Sequence, residues 1–166
     1  MNEKQPDPFI AHLLALAEAD DRAALAALRR GLGRPPGTVP EMFPYVVPFL
    51  PANPHPEQEA AYYTIAALFA LHPENTPEGN MGDHMAAARD EKSREAVERR
   101  FVALLSAHPD DLPDLLRQAI AYLKSKEVPI NWERLFRDLQ LWSHPEYGDV
   151  VRRYWATAFW RYQPEK

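Results

Sequence analysis

The chain has 166 residues, 46% of them apolar, no cysteine and a formal net charge of −5. That length supports one good core or two closely joined bundles, and the apolar share is that of a globular chain. The missing cysteines exclude disulfides, thiolate metal sites and thiol catalysis, the apolar runs fall well short of the roughly 20 residues of a membrane span, and the acidic balance excludes wholesale coating by nucleic acid while leaving room for a local basic face.

Met1 to Asp7 is polar and no signal-type apolar region follows it, so a cytoplasmic protein is expected. Asp7-Pro8 reads as an N-cap with proline in the first turn, opening a helix to about Ala19. Asp20 and Asp21 open a second helix, with Leu25, Leu28 and Leu32 on one face and Gly31 and Gly33 closing it. Pro35 to Pro56 is a proline-rich structured connector whose Phe43, Tyr45, Val46, Val47, Phe49 and Leu50 are expected to plug the core. A long helix follows from about Glu57 to Leu71. Residues 74–81 hold proline, glycine and two asparagines and form the best candidate for an inter-bundle loop.

A short helix is expected from Gly82 to about Arg89, then one capped by Ser93 and running to about Ala107, with Val97, Phe101, Leu104 and Leu105 inward. Asp110-Asp111 opens the next, Asn131 caps another carrying Trp132, Leu135, Phe136 and Leu139, and Pro145 opens the last, with Val151, Tyr154, Trp155, Ala158 and Tyr162 inward. The sum is an all-α fold: a compact helical bundle of about seven to nine helices, one domain over residues 1–166, with a possible sub-bundle boundary in loop 74–81.

His-Pro-acid recurs at His55, His72, His108 and His144, the last three 36 residues apart. The segments that follow do not match one another, so this is helix punctuation rather than a structural repeat: proline in the first turn and an acid against the helix dipole. A histidine metal cluster is the alternative, but the paired spacings of His-Glu-x-x-His and Glu-x-x-His are absent. No nucleophile elbow, P-loop or dinucleotide fingerprint is present, and the carboxylates fall at helix starts or four residues before an arginine. The expectation is therefore no enzyme, no catalytic residues, no metal and no cofactor.

The informative residues are the arginines, 14 of the 19 basic side chains. Glu95 precedes Arg99 by four residues, Glu133 precedes Arg137, Asp149 precedes Arg153, and Asp138 follows Arg134 by four; intrahelical ion pairs account for these. Arg29, Arg30 and Arg100 have no acid three or four positions away, and Arg117 has only Asp114. Arg117 and Lys124, seven apart, share a polar flank. Such arginines meet solvent, a tertiary carboxylate or a phosphate. Trp132 and Trp155 sit on apolar stripes, whereas Trp160 falls on the far side of the last helix, in line with Arg153, the pattern of a protein-interface hot spot. Base stacking and packing under the C-terminal tail are the other readings of Trp160.

Leu25-Ala26-Ala27-Leu28-Arg29-Arg30, Pro44-Tyr45-Val46-Val47-Pro48-Phe49, Glu98-Arg99-Arg100-Phe101-Val102-Ala103-Leu104-Leu105, Leu116-Arg117-Gln118-Ala119-Ile120 and Ile130-Asn131-Trp132 occur in that order. In order, spacing and total length the chain resembles the CasB family, the small subunit of the type I-E CRISPR Cascade complex, over about residues 10 to 162. The resemblance implies an all-helical, non-enzymatic subunit, present in two copies, that contacts the other Cascade subunits and CRISPR RNA. It further implies that the subunit helps hold target DNA, the displaced strand in particular, by sequence-independent phosphate contacts. Carried over by position, Arg29, Arg30, Arg99, Arg100 and Arg117 become the DNA-facing candidates. Lys124 joins them from the flank of Arg117, and Arg153 and Trp160 are the protein-facing candidates. The sequence departs from the family at Met81-Gly82-Asp83, where relatives often carry Leu-Gly-Arg, so a basic position there is replaced by an acid. A helical protein-interaction adaptor without direct nucleic-acid contact is the alternative.

Overall fold

The computed structural model describes residues 5–162. Among the described residues the chain is all-α: α1 (Pro8–Glu18), α2 (Arg22–Arg29), α3 (Phe43–Val46), α4 (Pro56–Leu71), α5 (Met81–Ala87), α6 (Arg94–Leu105), α7 (Leu112–Ser125), α8 (Trp132–Leu141) and α9 (Tyr147–Arg161). The one extended pairing among them is an isolated bridge between Asn75 and Ile130. The chain divides into two compact units between Pro73 and Glu74.

In the first unit α4 is apolar around most of its circumference, with Ala61, Tyr62, Ile65, Leu68 and Phe69 among its buried residues. A helix of that kind belongs inside a core. Helix α2 lays Ala24, Leu25 and Leu28 inward and packs on α4. At the end of α2, a Cβ on Gly31 would press on the end of the Met42 side chain, and Gly33 turns the chain with φ 76°. The proline-rich connector differs from expectation: Val46 enters the core, but Phe43 and Val47 are exposed, and Val39 and Met42 are buried instead. Pro40, Pro44 and Pro48 each lie in the first turn of a short helical segment. The burial therefore follows a helical spacing through residues 39, 42 and 46 rather than taking every apolar residue.

The second unit is built on α5 against α9. A Cβ on Gly82 would collide with the backbone carbonyl of Trp155, so only glycine lets the two helices approach this closely. That approach sets the face of α9. Gly148, Val151, Trp155 and Phe159 point inward, whereas Tyr154, expected inside, is exposed. Phe101 stacks on Phe159 at 4.2 Å between ring centroids, and Trp142 meets Trp155 at 5.0 Å.

Three helix starts are capped as their sequences suggest, whereas Asp111 makes no side-chain cap at α7. Asp7, Asp21 and Asn131 accept hydrogen bonds from the N–H groups of Phe9, Ala24 and Arg134 at 2.9–3.1 Å, each worth about 1 kcal/mol. Ser93 does not cap α6; its Oγ accepts from the N–H of Asp90, whose carboxylate accepts from the N–H groups of Lys92 and Ser93. The His-Pro-acid motif has a further element at two of its four sites. His108 Nδ1 accepts from the N–H of Asp110, and His144 Nδ1 accepts from those of Glu146 and Tyr147. The imidazole itself takes orphan donors at the start of α9 and just ahead of α7.

Candidate nucleic-acid interface

Helices α6 and α7 pack against each other, and each buries an apolar stripe, Val97, Phe101 and Leu104 on one and Leu116, Ala119 and Ile120 on the other. Burying those stripes leaves Arg99 and Arg100 on the open side of α6. Together with Ala103, Leu115, Gln118 and Ala119 they line an open cleft of about 200 Å³. The predicted ion pair of Arg99 with Glu95 is not formed, and among the described residues Arg99, Arg100, Arg117 and Lys124 pair with no carboxylate. Arg100 lies with its guanidinium 4.9 Å from the centre of the Tyr122 ring. This cation–π contact is worth about 0.5–1 kcal/mol at such an exposed site, and it fixes the fork without consuming its charge.

Tyr122 is anchored in turn, its hydroxyl donating to the Ala88 carbonyl at 3.3 Å. It was not legible as a site residue because its partner Arg100 sits on the neighbouring helix, a contact that spacing within one helix does not encode. Arg117 is half-buried on α7, and Lys124 is exposed one heptad further along. The nearby Lys126 is different. It lies 3.5 Å from Asp90, and the bonds from Ser93, followed by Lys126, hold the Asp90 carboxyl below the usual carboxylate range.

The two remaining arginine candidates belong to the first unit. Arg30, at the end of α2, reaches Glu41 at 3.2 Å, an exposed ion pair worth under about 1 kcal/mol. Arg29 is exposed, with Nη1 3.5 Å from the carbonyl of Ala70. On α9, Arg153 is exposed without an ion pair to Asp149, which meets Arg152 at 3.8 Å instead. Trp160 is 49% exposed, with one edge against Phe101 at 5.5 Å between centroids, so it leans on α6 rather than standing free.

Asp138 is a buried carboxylate that the sequence did not single out beyond its spacing from Arg134. It is 3% exposed, accepts from Trp155 Nε1 at 2.7 Å and pairs with Arg134 Nε at 3.1 Å. Burial pushes its carboxyl above the ordinary range, and these two partners pull it back. Asp83 closes a capping box: its Oδ2 accepts from the N–H of Asn80 at 2.8 Å, while Asn80 Oδ1 accepts from Gly82 and Asp83. Its acid serves the start of α5. Among the described residues no group of acidic and histidine side chains could hold a metal ion, and no helix is long and apolar enough to cross a membrane.

Residues 24–160 match the sequence model of the CRISPR-associated protein Cse2. The chain belongs to the Cse2 family. It is 40% identical to the CRISPR-associated protein Cse2 of Thermus thermophilus over 141 residues, covering 83% of this chain and 79% of that one. The crystal structure of CasB from Thermus thermophilus superposes with a TM-score of 0.80 at 33% identity, over 94% of this chain and 99% of that one. A chain in the structure of a CRISPR RNA-guided surveillance complex superposes with a TM-score of 0.75 at 29% identity, over 92% and 94%. The resemblance to CasB read from the sequence is thus correct for this Cse2-family chain.

Proposed function

We propose that this chain is a non-catalytic subunit of a CRISPR RNA-guided surveillance complex. In this reading it steadies the target DNA, the displaced strand above all, by contacts to phosphates. The observation that supports this best is the set of unneutralised cations on α6 and α7. Arg99 and Arg100 share one cleft, and Arg117 and Lys124 continue along α7. A guanidinium presents a planar fork to a phosphate, and contacts of that kind fix a strand without reading its bases. An overall charge of −5 makes such a local face the place where an anionic strand is attracted. Arg29 is a secondary contact, and Arg30 contributes where a phosphate displaces Glu41. Arg153 and the open part of Trp160 serve the neighbouring protein subunits, since Trp and Arg are the residues most enriched at interface hot spots.

The test is target binding by the reconstituted complex across a salt series, with Arg99, Arg100 and Arg117 replaced together by Ala. Affinity should fall alike for all target sequences, and the slope of log K against log salt should flatten by about 2–3. An unchanged affinity and slope, with the chain still assembled, would leave an adaptor that never touches DNA. Replacing Trp160 and Arg153 by Ala should reduce co-assembly instead.

A further inference from the structure

A second open cleft, of about 260 Å³, lies between α8 and α9. Arg134, Arg137 and Leu141 line it from α8 together with the buried carboxylate Asp138, and Tyr147, Val150 and Tyr154 line it from α9. The two tyrosines are among the most exposed large apolar side chains of the described residues, at 51% and 57%. They are seven residues apart on one face of α9, hence about 10 Å apart along it. The guanidinium of Arg134 sits 5.9 Å from the centre of the Tyr154 ring. Its Nε is held by the buried Asp138, which fixes where that charge lies. Arg137, one turn away on α8, is exposed.

We infer that this cleft is a stacking subsite for unpaired nucleotides, in which bases lie on the Tyr147 and Tyr154 rings and Arg137 and Arg134 meet the adjoining phosphates. The inference rests on the reading that the chain lies against a target strand, and it adds a base-directed contact to the backbone clamp of α6 and α7. Rows of aromatic faces flanked by cations are what single-strand binders present, because every base has a π-face whatever its sequence. The cleft is smaller than the roughly 300 Å³ at which enclosed pockets for whole ligands begin, and its open form suits planar rings laid on its two tyrosines rather than an enclosed molecule. The Arg134 guanidinium lies against part of the Tyr154 ring and His144 meets the Tyr147 ring at 4.6 Å between centroids, and the exposed remainder of each ring is the surface a base would meet.

The test uses the reconstituted complex and a target whose displaced strand is already melted, so that strand separation costs nothing. Two such targets are compared, one with an all-thymine displaced strand and one with an abasic strand of equal length. Wild type should prefer the base-bearing strand by about fivefold or more, the lower end of what one stacked base contributes. Y147L/Y154L should lose that preference while binding the abasic strand as wild type does, and Y147F/Y154F should keep it. If wild type shows no preference, or Y147L/Y154L retains it, the stacking site is refuted. Should the leucine variant weaken both targets equally or drop out of the complex, the cleft is a protein interface and the inference is again refuted. The Arg99, Arg100 and Arg117 triple variant, run alongside, separates these outcomes from failure of the clamp. A refuted cleft with a weakened triple variant leaves the phosphate reading standing, and a neutral triple variant removes both.

Discussion

Acid should unfold this chain earlier than its carboxylates alone would dictate, and the cause is His84. The side chain is 5% exposed on α5, and its Nε2 accepts from the N–H of Asn131 at 3.0 Å. Asn131 is the residue that caps α8. Burial lowers the imidazole pKa from 6.5 to about 4, against the opposing charge of Asp83. Below about pH 6.5 the unfolded chain takes up a proton that the folded chain refuses, so stability falls with pH between 6.5 and 4. The steepest slope is about 1.4 kcal/mol per pH unit, and the full window is worth about 3 kcal/mol. Protonation would also turn the acceptor facing Asn131 into a donor. His12, half-buried and likewise lowered by desolvation, adds in the same direction, and Asp138, pushed up by burial, opposes it: its folded carboxyl binds a proton first and gains stability as pH falls through its raised pKa. The difference between wild type and His84→Gln removes both contributions. The amide oxygen of glutamine can still accept from Asn131, but it does not titrate. Urea melts from about pH 7.5 down to about pH 4.5 should therefore show a steep loss for wild type and a shallower one for the variant. Identical slopes in the two proteins would refute the assignment.

Two further perturbations probe the second unit. Asp138→Ala strips Trp155 Nε1 and Arg134 Nε of their shared acceptor in a buried place and should lower unfolding free energy by about 2–4 kcal/mol. Asp138→Asn, which keeps one acceptor for the indole, should cost less, and equal losses in urea would show that charge matters and the hydrogen bond does not. Gly82→Ala forces a methyl group onto the Trp155 carbonyl and should cost about 2 kcal/mol or more by separating α5 from α9. A melting temperature unchanged from wild type would mean that the two helices are not held at this distance.

Legibility followed the strength of the local signal. Helix starts were readable because a cap is a local event: Asp7-Pro8, Asp21 and Asn131 each satisfy donors within three residues. Which face a helix buries is a tertiary matter wherever apolar residues surround it. Helix α9 carries Val150, Val151, Tyr154, Trp155, Ala158, Phe159 and Trp160, and two overlapping stripes fit them. The choice was made by Gly82 on another helix, which admits the Trp155 backbone and so turns Tyr154 out. The same limit applies to the connector, where the prolines impose a helical spacing on a segment whose composition suggested that every aromatic was buried.

For the arginines, the i to i+4 spacing found the Arg134–Asp138 pair but not the fate of Arg99 or Arg153, and it could not see across helices. Arg30 looked as free as Arg100, yet it meets Glu41 eleven residues away through a connector whose path the spacing does not encode. Arg99 looked neutralised by Glu95, yet no ion pair forms, and its side chain opens onto the cleft it shares with Arg100 and Gln118. An exposed intrahelical pair is worth only a few tenths of a kcal/mol, too little to decide where a long side chain rests. A guanidinium stacked on an anchored ring, as Arg100 is on Tyr122, loses less freedom when a phosphate arrives than one free in solvent. Arg100 should therefore contribute more to target binding than Arg99, although the two are adjacent in sequence. Comparing Arg100→Ala with Arg99→Ala in the same complex decides it, and Tyr122→Leu should erode the advantage of Arg100 alone.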